Sequence, residues 1–166
     1  MRAALKAGTM VLMLAAAPVG IAVAPLAVFG VFTPVKAAMN VDWPDSVDQY
    51  VMQVRKSVKT TDMDGYLAAV KSPNGVLLFD VREEGEFKAG HVPGAVNVPR
   101  GLLEFRIWKQ LGFPSNVDMS RKIYVQCQTG GRATLAAKQL QDIGFTNVIA
   151  VIMNFEEWQK KGNPLS

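Results

Sequence analysis

Ile123-Tyr124-Val125-Gln126 runs without a break into Cys127-Gln128-Thr129-Gly130-Gly131-Arg132, and a helix-patterned stretch carrying Leu135, Ala136, Leu140 and Ile143 follows. A short apolar run bounded by turn residues marks a strand buried on both faces, the habit of parallel sheets. Val76-Leu77-Leu78-Phe79, ending at Asp80, reads the same way, as does Val148-Ile149-Ala150-Val151; Ala95-Val96-Asn97-Val98 is a weaker fourth. Helical stretches are predicted between them near Glu83 to Lys88, Leu102 to Gln110 and Arg132 to Ile143, with Phe155 to Lys161 last. Strands alternating with helices predict an α/β fold with a central, mostly parallel sheet flanked by helices. In such sheets ligands bind beyond the carboxyl ends of the strands, so the residues just after a strand are the ones to read for chemistry.

By that rule the segment after Gln126 is the candidate site. Cys127 is the only cysteine of the chain and sits in the turn between a strand and a helix. Gly130 and Gly131 permit dihedral angles closed to other residues, so that the loop can curl with its backbone N–H groups turned inward on the sulfur. The N-terminal partial charge of the following helix and the Arg132 guanidinium add to that field. Together these donors are expected to make the sulfur a nucleophile. The same cradle suits an anion. A lone cysteine is more often a small buried hydrophobe; glycines and an arginine ahead of a helix N-terminus serve no packing need of a thiol, and the loop reverses that expectation.

Outward from the loop, Asp45 to Lys59 carries Val47, Tyr50, Val51, Val54 and Val58 on one helical face, which predicts an amphipathic helix packed beside the domain. Asp62 is placed to cap a second helix through Tyr66, Leu67 and Val70, and Pro73-Asn74-Gly75 supplies a turn. Ahead of all this, Arg2 and Lys6 precede a block from Ala7 to Phe32 without a charged residue, the pattern of an export signal. Val35-Lys36-Ala37 offers small residues at the first and third places for cleavage before Ala38. The block is also long enough for the about 20 residues of a spanning helix, so an uncleaved anchor is the alternative, and in both cases the globular part faces outward, into a periplasm-like compartment. The expected organisation is a signal or anchor over 1–37, a helical extension over 38–60 and one globular domain over 61–166.

The 166 residues carry a net charge of +4. Three of the 18 basic residues, Arg2, Lys6 and Lys36, lie in the leader, and without them 15 basic residues face 14 acidic ones. That balance gives no electrostatic reason for a nucleic-acid partner. One cysteine excludes an internal disulfide, and one cysteine with one histidine falls short of a standard zinc site. No metal and no cofactor are expected.

Taken in order, Asp80-Val81-Arg82-Glu83-Glu84-Gly85-Glu86-Phe87 and Gly90-His91-Val92-Pro93-Gly94-Ala95-Val96-Asn97-Val98-Pro99 resemble the first conserved block of rhodanese domains. Cys127 to Arg132, with Leu140, Gly144-Phe145 and Val148 behind it, resembles the second, and Trp158, Gly162 and Pro164 resemble the C-terminal signature. The match spans residues 61 to 165. It implies a three-layer sandwich and a sulfurtransferase that moves sulfane sulfur from a donor such as thiosulfate to cyanide or a thiol, with a redox or sulfur-carrier protein as a further acceptor class. In that scheme Cys127 carries a persulfide, Arg132 holds the anionic donor, and the N–H groups of Gln128, Thr129, Gly130, Gly131, Arg132 and Ala133 stabilise the negative sulfur. Asp80 and Arg82 either assist the site or form a buried pair that fixes its loops, the second being preferred. His91 is expected to make a structural hydrogen bond in a turn remote from the loop, and Arg106 is a candidate extra anion contact.

Phosphatase relatives of that family have an active loop one residue longer. Four residues separate Cys127 from Arg132, the spacing of the sulfur-handling branch. A small phosphatase or arsenate-handling enzyme is therefore the lesser alternative, and a non-catalytic module that binds a partner protein is the other. One departure stands out: Met153-Asn154 replaces the Gly-Gly pair many members carry before the last helix.

Overall fold

The structure, a computed structural model, describes residues 44–166; the leader, its cleavage point and the first part of the extension lie outside the described residues. Five strands form one sheet: β1 (Lys59–Thr61), β2 (Val76–Asp80), β3 (Ala95–Asn97), β4 (Lys122–Gln126) and β5 (Val148–Val151). Their order is β1-β5-β4-β2-β3 and every pairing is parallel. The strand that leads into Cys127 is therefore central, with Asp80 beside Gln126 and Phe79 beside Val125.

Six α-helices surround the sheet: α1 (Val47–Arg55), α2 (Met63–Lys71), α3 (Glu84–Lys88), α4 (Leu103–Gln110), α5 (Gly131–Asp142) and α6 (Phe155–Lys160). A 3-10 turn over Arg100–Leu102 leads into α4. Alternation along the strands sends residues to two cores. On one face Phe79, Val81, Ile123 and Val125 pack with Leu103 and Ile107 of α4 and with Ala133, Ala136, Ala137 and Leu140 of α5. On the other, Leu78, Tyr124 and Val151 pack with Met63 and Tyr66 of α2 and with Phe155 and Trp158 of α6. The result is the expected three-layer α/β sandwich.

The caps follow the sequence closely. Asp62 accepts the N–H of Gly65 at 2.9 Å and starts α2, and Ser46 does the same for α1 through Gln49 at 3.1 Å. Such side-chain acceptors satisfy one of the orphan donors of a first helical turn. Asn154 accepts the N–H groups of Glu156 and Glu157 and starts α6. The Met153-Asn154 departure thus replaces a flexible glycine pair with a buried side chain and a cap.

Two expectations need correction. The helix predicted over Asp45 to Lys59 ends at Arg55, and Lys59 opens an edge strand instead. Lys59, Thr60 and Thr61 have no apolar alternation of their own; their strand exists because β5 offers a free edge, where they pair with Ile149, Ala150 and Val151. The apolar face of α1 is also only partly used. Val51 is buried, as is Val58 beyond the helix end, whereas Val47 is 73% exposed and Tyr50 46%.

Candidate active site

The loop after β4 begins at Cys127 and closes on the first turn of α5. Gly130 has φ +88°, a left-handed conformation that L side chains reach only with strain. It also lies against the β5 exit, where an added Cβ would sit 3.1 Å from Ile152 Cα. Gly131 does not use that freedom: it is the first residue of α5, and a Cβ there would meet nothing within 4 Å.

With Gly130 turned back, its N–H donates to Cys127 Sγ at 3.2 Å, and the N–H of Ala133 donates at 3.4 Å. Of the N–H groups expected from Gln128 to Ala133, these two bond the sulfur. The sulfur sits at the bottom of the loop and Cys127 is 1% exposed. The loop is held from three sides. The hydroxyl of Thr134 donates to the Gly130 carbonyl at 2.7 Å. Phe155 N–H donates to the Gln128 carbonyl at 2.9 Å, which ties the start of α6 to the rim. Val81 N–H donates to the Gln126 carbonyl at 2.9 Å just before the cysteine.

Arg132 stands on the rim, but it does not face an anion alone. Its two terminal nitrogens donate to the two carboxylate oxygens of Glu86, at 2.6 and 2.7 Å. This fork-to-fork geometry is the strong form of the pair. Glu86 Oε2 also accepts the Glu83 N–H at 3.0 Å, so one carboxylate both caps α3 and orients the arginine. The hydrogen bonds from Arg132 hold the Glu86 carboxyl down at about 2, and Glu86 in turn pushes the Arg132 guanidinium up. Glu86 is the site residue that sequence reasoning did not single out; 46 positions separate it from Arg132, and only the Glu83–Glu86 spacing of a capping box hinted at a fixed side chain.

Asp80 and Arg82 form a buried pair, Nη2 to Oδ2 at 2.7 Å, with side-chain exposures of 0% and 3%. Arg82 also donates to the Gly90 carbonyl at 2.8 Å and stacks its guanidinium 3.8 Å from the Phe155 ring centroid. These contacts tie the β2 exit to the turn before β3 and to the start of α6. His91 Nδ1 lies 3.1 Å from the Phe87 carbonyl and its ring stacks on Phe87, away from the loop. Arg106 lines a different groove, with Glu84, Phe87, Lys88, Asn97 and Pro99.

Two clefts flank the loop. One, of about 260 Å³, passes Arg82, Glu86, Gly90, Gln128, Phe155 and Gln159. The other, of about 370 Å³, runs between α1 and the loop, past Val51, Met52, Arg55, Thr129, Gly131 and Arg132. Chemically the arrangement offers a sulfur on paired N–H donors, with arginine side chains along the two clefts beside its loop.

Comparison with known proteins agrees with this geometry. The rhodanese-like domain model matches residues 63–161. Thiosulfate sulfurtransferase 16 of Arabidopsis thaliana chloroplasts is 38% identical over 97 residues, covering 54% of this chain and 79% of that protein. YrkF of Bacillus subtilis, named for a sulfur-carrier role, is 29% identical over 105 residues, 63% of this chain; the chain spans about half of YrkF, 53% of its length. Among solved structures, a Rhodopseudomonas palustris protein of unknown function, described as a possible tyrosine phosphatase, superposes with a TM-score of 0.63 at 26% identity, over 76% of this chain and 98% of that one. Matched in sequence over most of the described residues, the chain belongs to the rhodanese-like domain family, at family level a family of sulfurtransferases.

Proposed function

We propose that this chain is a sulfurtransferase that passes sulfane sulfur from a small anionic donor, with thiosulfate as the type, to a thiol or cyanide through a persulfide on Cys127. The observation that carries the reading is the pair of N–H groups, from Gly130 and Ala133, directed at Sγ from a loop of six residues at the end of the central strand. Donors fixed in advance around a sulfur stabilise negative charge on it without reorganisation.

In the first half-reaction the Cys127 thiolate attacks the outer sulfur of thiosulfate. A new S–S bond forms on Sγ, the S–S bond of thiosulfate breaks, and sulfite leaves with its electron pair. In the second, cyanide carbon or an acceptor thiolate attacks the outer sulfur, the enzyme S–S bond breaks, and the Cys127 thiolate returns. Thiocyanate or a new persulfide is the product. Arg132, held by Glu86 at the rim, is a hydrogen-bond donor beside the path of the donor anion, with its charge largely balanced by that carboxylate. The outward-facing placement inferred from the leader belongs to the same proposal.

The intact mass of the mature protein before and after thiosulfate tests both halves at once. The reading expects one added sulfur atom, lost again on cyanide, and a starting mass that reports whether residues 1–37 are removed. Cys127→Ser is expected to take up no sulfur and to lose thiosulfate:cyanide transfer; transfer retained in that variant overturns the mechanism. The phosphatase alternative draws on the Rhodopseudomonas neighbour. A loop with four residues between Cys127 and Arg132 gives a smaller ring of donors than three peripheral phosphate oxygens call for, and hydrolysis of an aryl phosphate by the wild type is the result that revives it.

A further inference from the structure

Helix α1 precedes the residues that the family model matches, 63–161, yet it forms a wall of the larger cleft beside the Cys127 loop. We propose that this wall makes the cleft a binding site for the anionic group of a small organic thiol, with Arg55 as the residue that selects it; the proposal rests on the sulfurtransferase reading for its biological use.

Three observations support it. First, α1 is joined to the loop by bonds. Arg55 Nε lies 3.4 Å from Thr134 Oγ1, the same hydroxyl donates to the Gly130 carbonyl, and the Gly130 N–H donates to the sulfur. Val51, buried, seats the helix on the domain. Second, the charges differ in kind. Arg132 has both terminal nitrogens on Glu86, so that pair presents little net charge. Arg55 has no carboxylate partner among the described residues, and its terminal nitrogens are uncommitted there. Asp48 is the one carboxylate on this wall; seven residues earlier on the helix, it lies about 10 Å away along the axis, at the end remote from the Thr134 tie. Third, most of the remaining lining is apolar: Val47, Val51, the 62% exposed Met52 and Leu135, with Thr129 the polar exception. About 370 Å³ lies in the range of small-ligand sites. A short thiol with a terminal carboxylate matches this surface: stem on Val47, Met52 and Leu135, anion on Arg55, sulfur toward the loop. Cyanide would use none of it.

The test exploits the sole cysteine, because every alkylation reports on this site. Rates of Cys127 alkylation by iodoacetate, an anion, and by neutral iodoacetamide are compared on the mature protein. Rates of persulfide discharge by 3-mercaptopropionate and by neutral 2-mercaptoethanol are compared in parallel. Arg55→Ala is expected to lower the anionic-to-neutral ratio in both assays about two- to five-fold, the scale of a partly exposed ion pair, and Arg55→Lys to restore most of it. Met52→Glu, at an exposed position, is expected to lower the same ratio by adding a negative charge to the wall. Unchanged ratios, or equal slowing of charged and neutral reagents, overturn the proposal and leave α1 a packing element. If thiosulfate adds no sulfur to the wild type, the sulfurtransferase reading falls while the alkylation ratio still decides for or against Arg55.

Discussion

Gly130 is where one residue's conformation sets the chemistry of another. Its φ of +88° turns the N–H onto Cys127, and its missing side chain lets the loop press against Ile152. Gly130→Ala should therefore lower stability by about 2 kcal/mol, from left-handed strain and the Ile152 contact together, with loss of sulfur uptake. Gly131→Ala, at a position with open space and a helical backbone, should change stability by less than about 1 kcal/mol and in the favourable direction. Urea midpoints of the two variants check the contrast, and equal effects would contradict the assignment of the turn to Gly130. The sequence showed two adjacent glycines and could not say which one carries the turn, because that depends on where the β5 exit passes.

At the scale of elements, the Glu86–Arg132 bridge joins α3 to α5 across the mouth of the loop. With side chains about one-third exposed and a bidentate contact, a double-mutant cycle of Glu86→Ala and Arg132→Ala should give a coupling of about 1 kcal/mol. A coupling near zero would mean the pair is not formed in solution. The elements themselves were largely legible. β2, β4 and β5 are uninterrupted apolar runs, α2 has its Asp62 cap, and α5 follows its loop without a gap. β1 was not legible, since Lys59-Thr60-Thr61 becomes a strand only through a partner about 90 residues later in the chain. The bridge was hidden for the same reason: pattern reading sees neighbours three or four residues apart, not carboxylates 46 positions away. The exposed half of α1 was hidden too, because periodicity tells which residues share a face but not how much of that face is covered.

For the whole molecule, the sheet order puts the sulfur at the middle of the sheet's carboxyl edge, where Cys127 is part of one of the two cores. Charge linkage reaches that edge through Glu86. Its carboxyl, ordinarily at 4.5, is held at about 2 in the folded chain. Between those values the unfolded state takes up the proton first, so stability falls as the pH is lowered through this window. The contribution is fully present above 4.5. Urea midpoints measured from pH 5 down to pH 2 should therefore decline, and Glu86→Gln should flatten part of that slope while lowering stability at pH 7; an identical slope in the variant would remove Glu86 from the account.

Cys127, at 1% exposure, lies below its own rim. A disulfide requires two sulfurs about 2 Å apart with their Cβ atoms about 3.8 Å apart, a distance that the bodies of two folded copies cannot close across that rim. Burial of the thiol therefore disfavours covalent dimers of the folded chain. In the sulfurtransferase proposed above, a protein acceptor would have to offer its thiol at the tip of a narrow, extended arm.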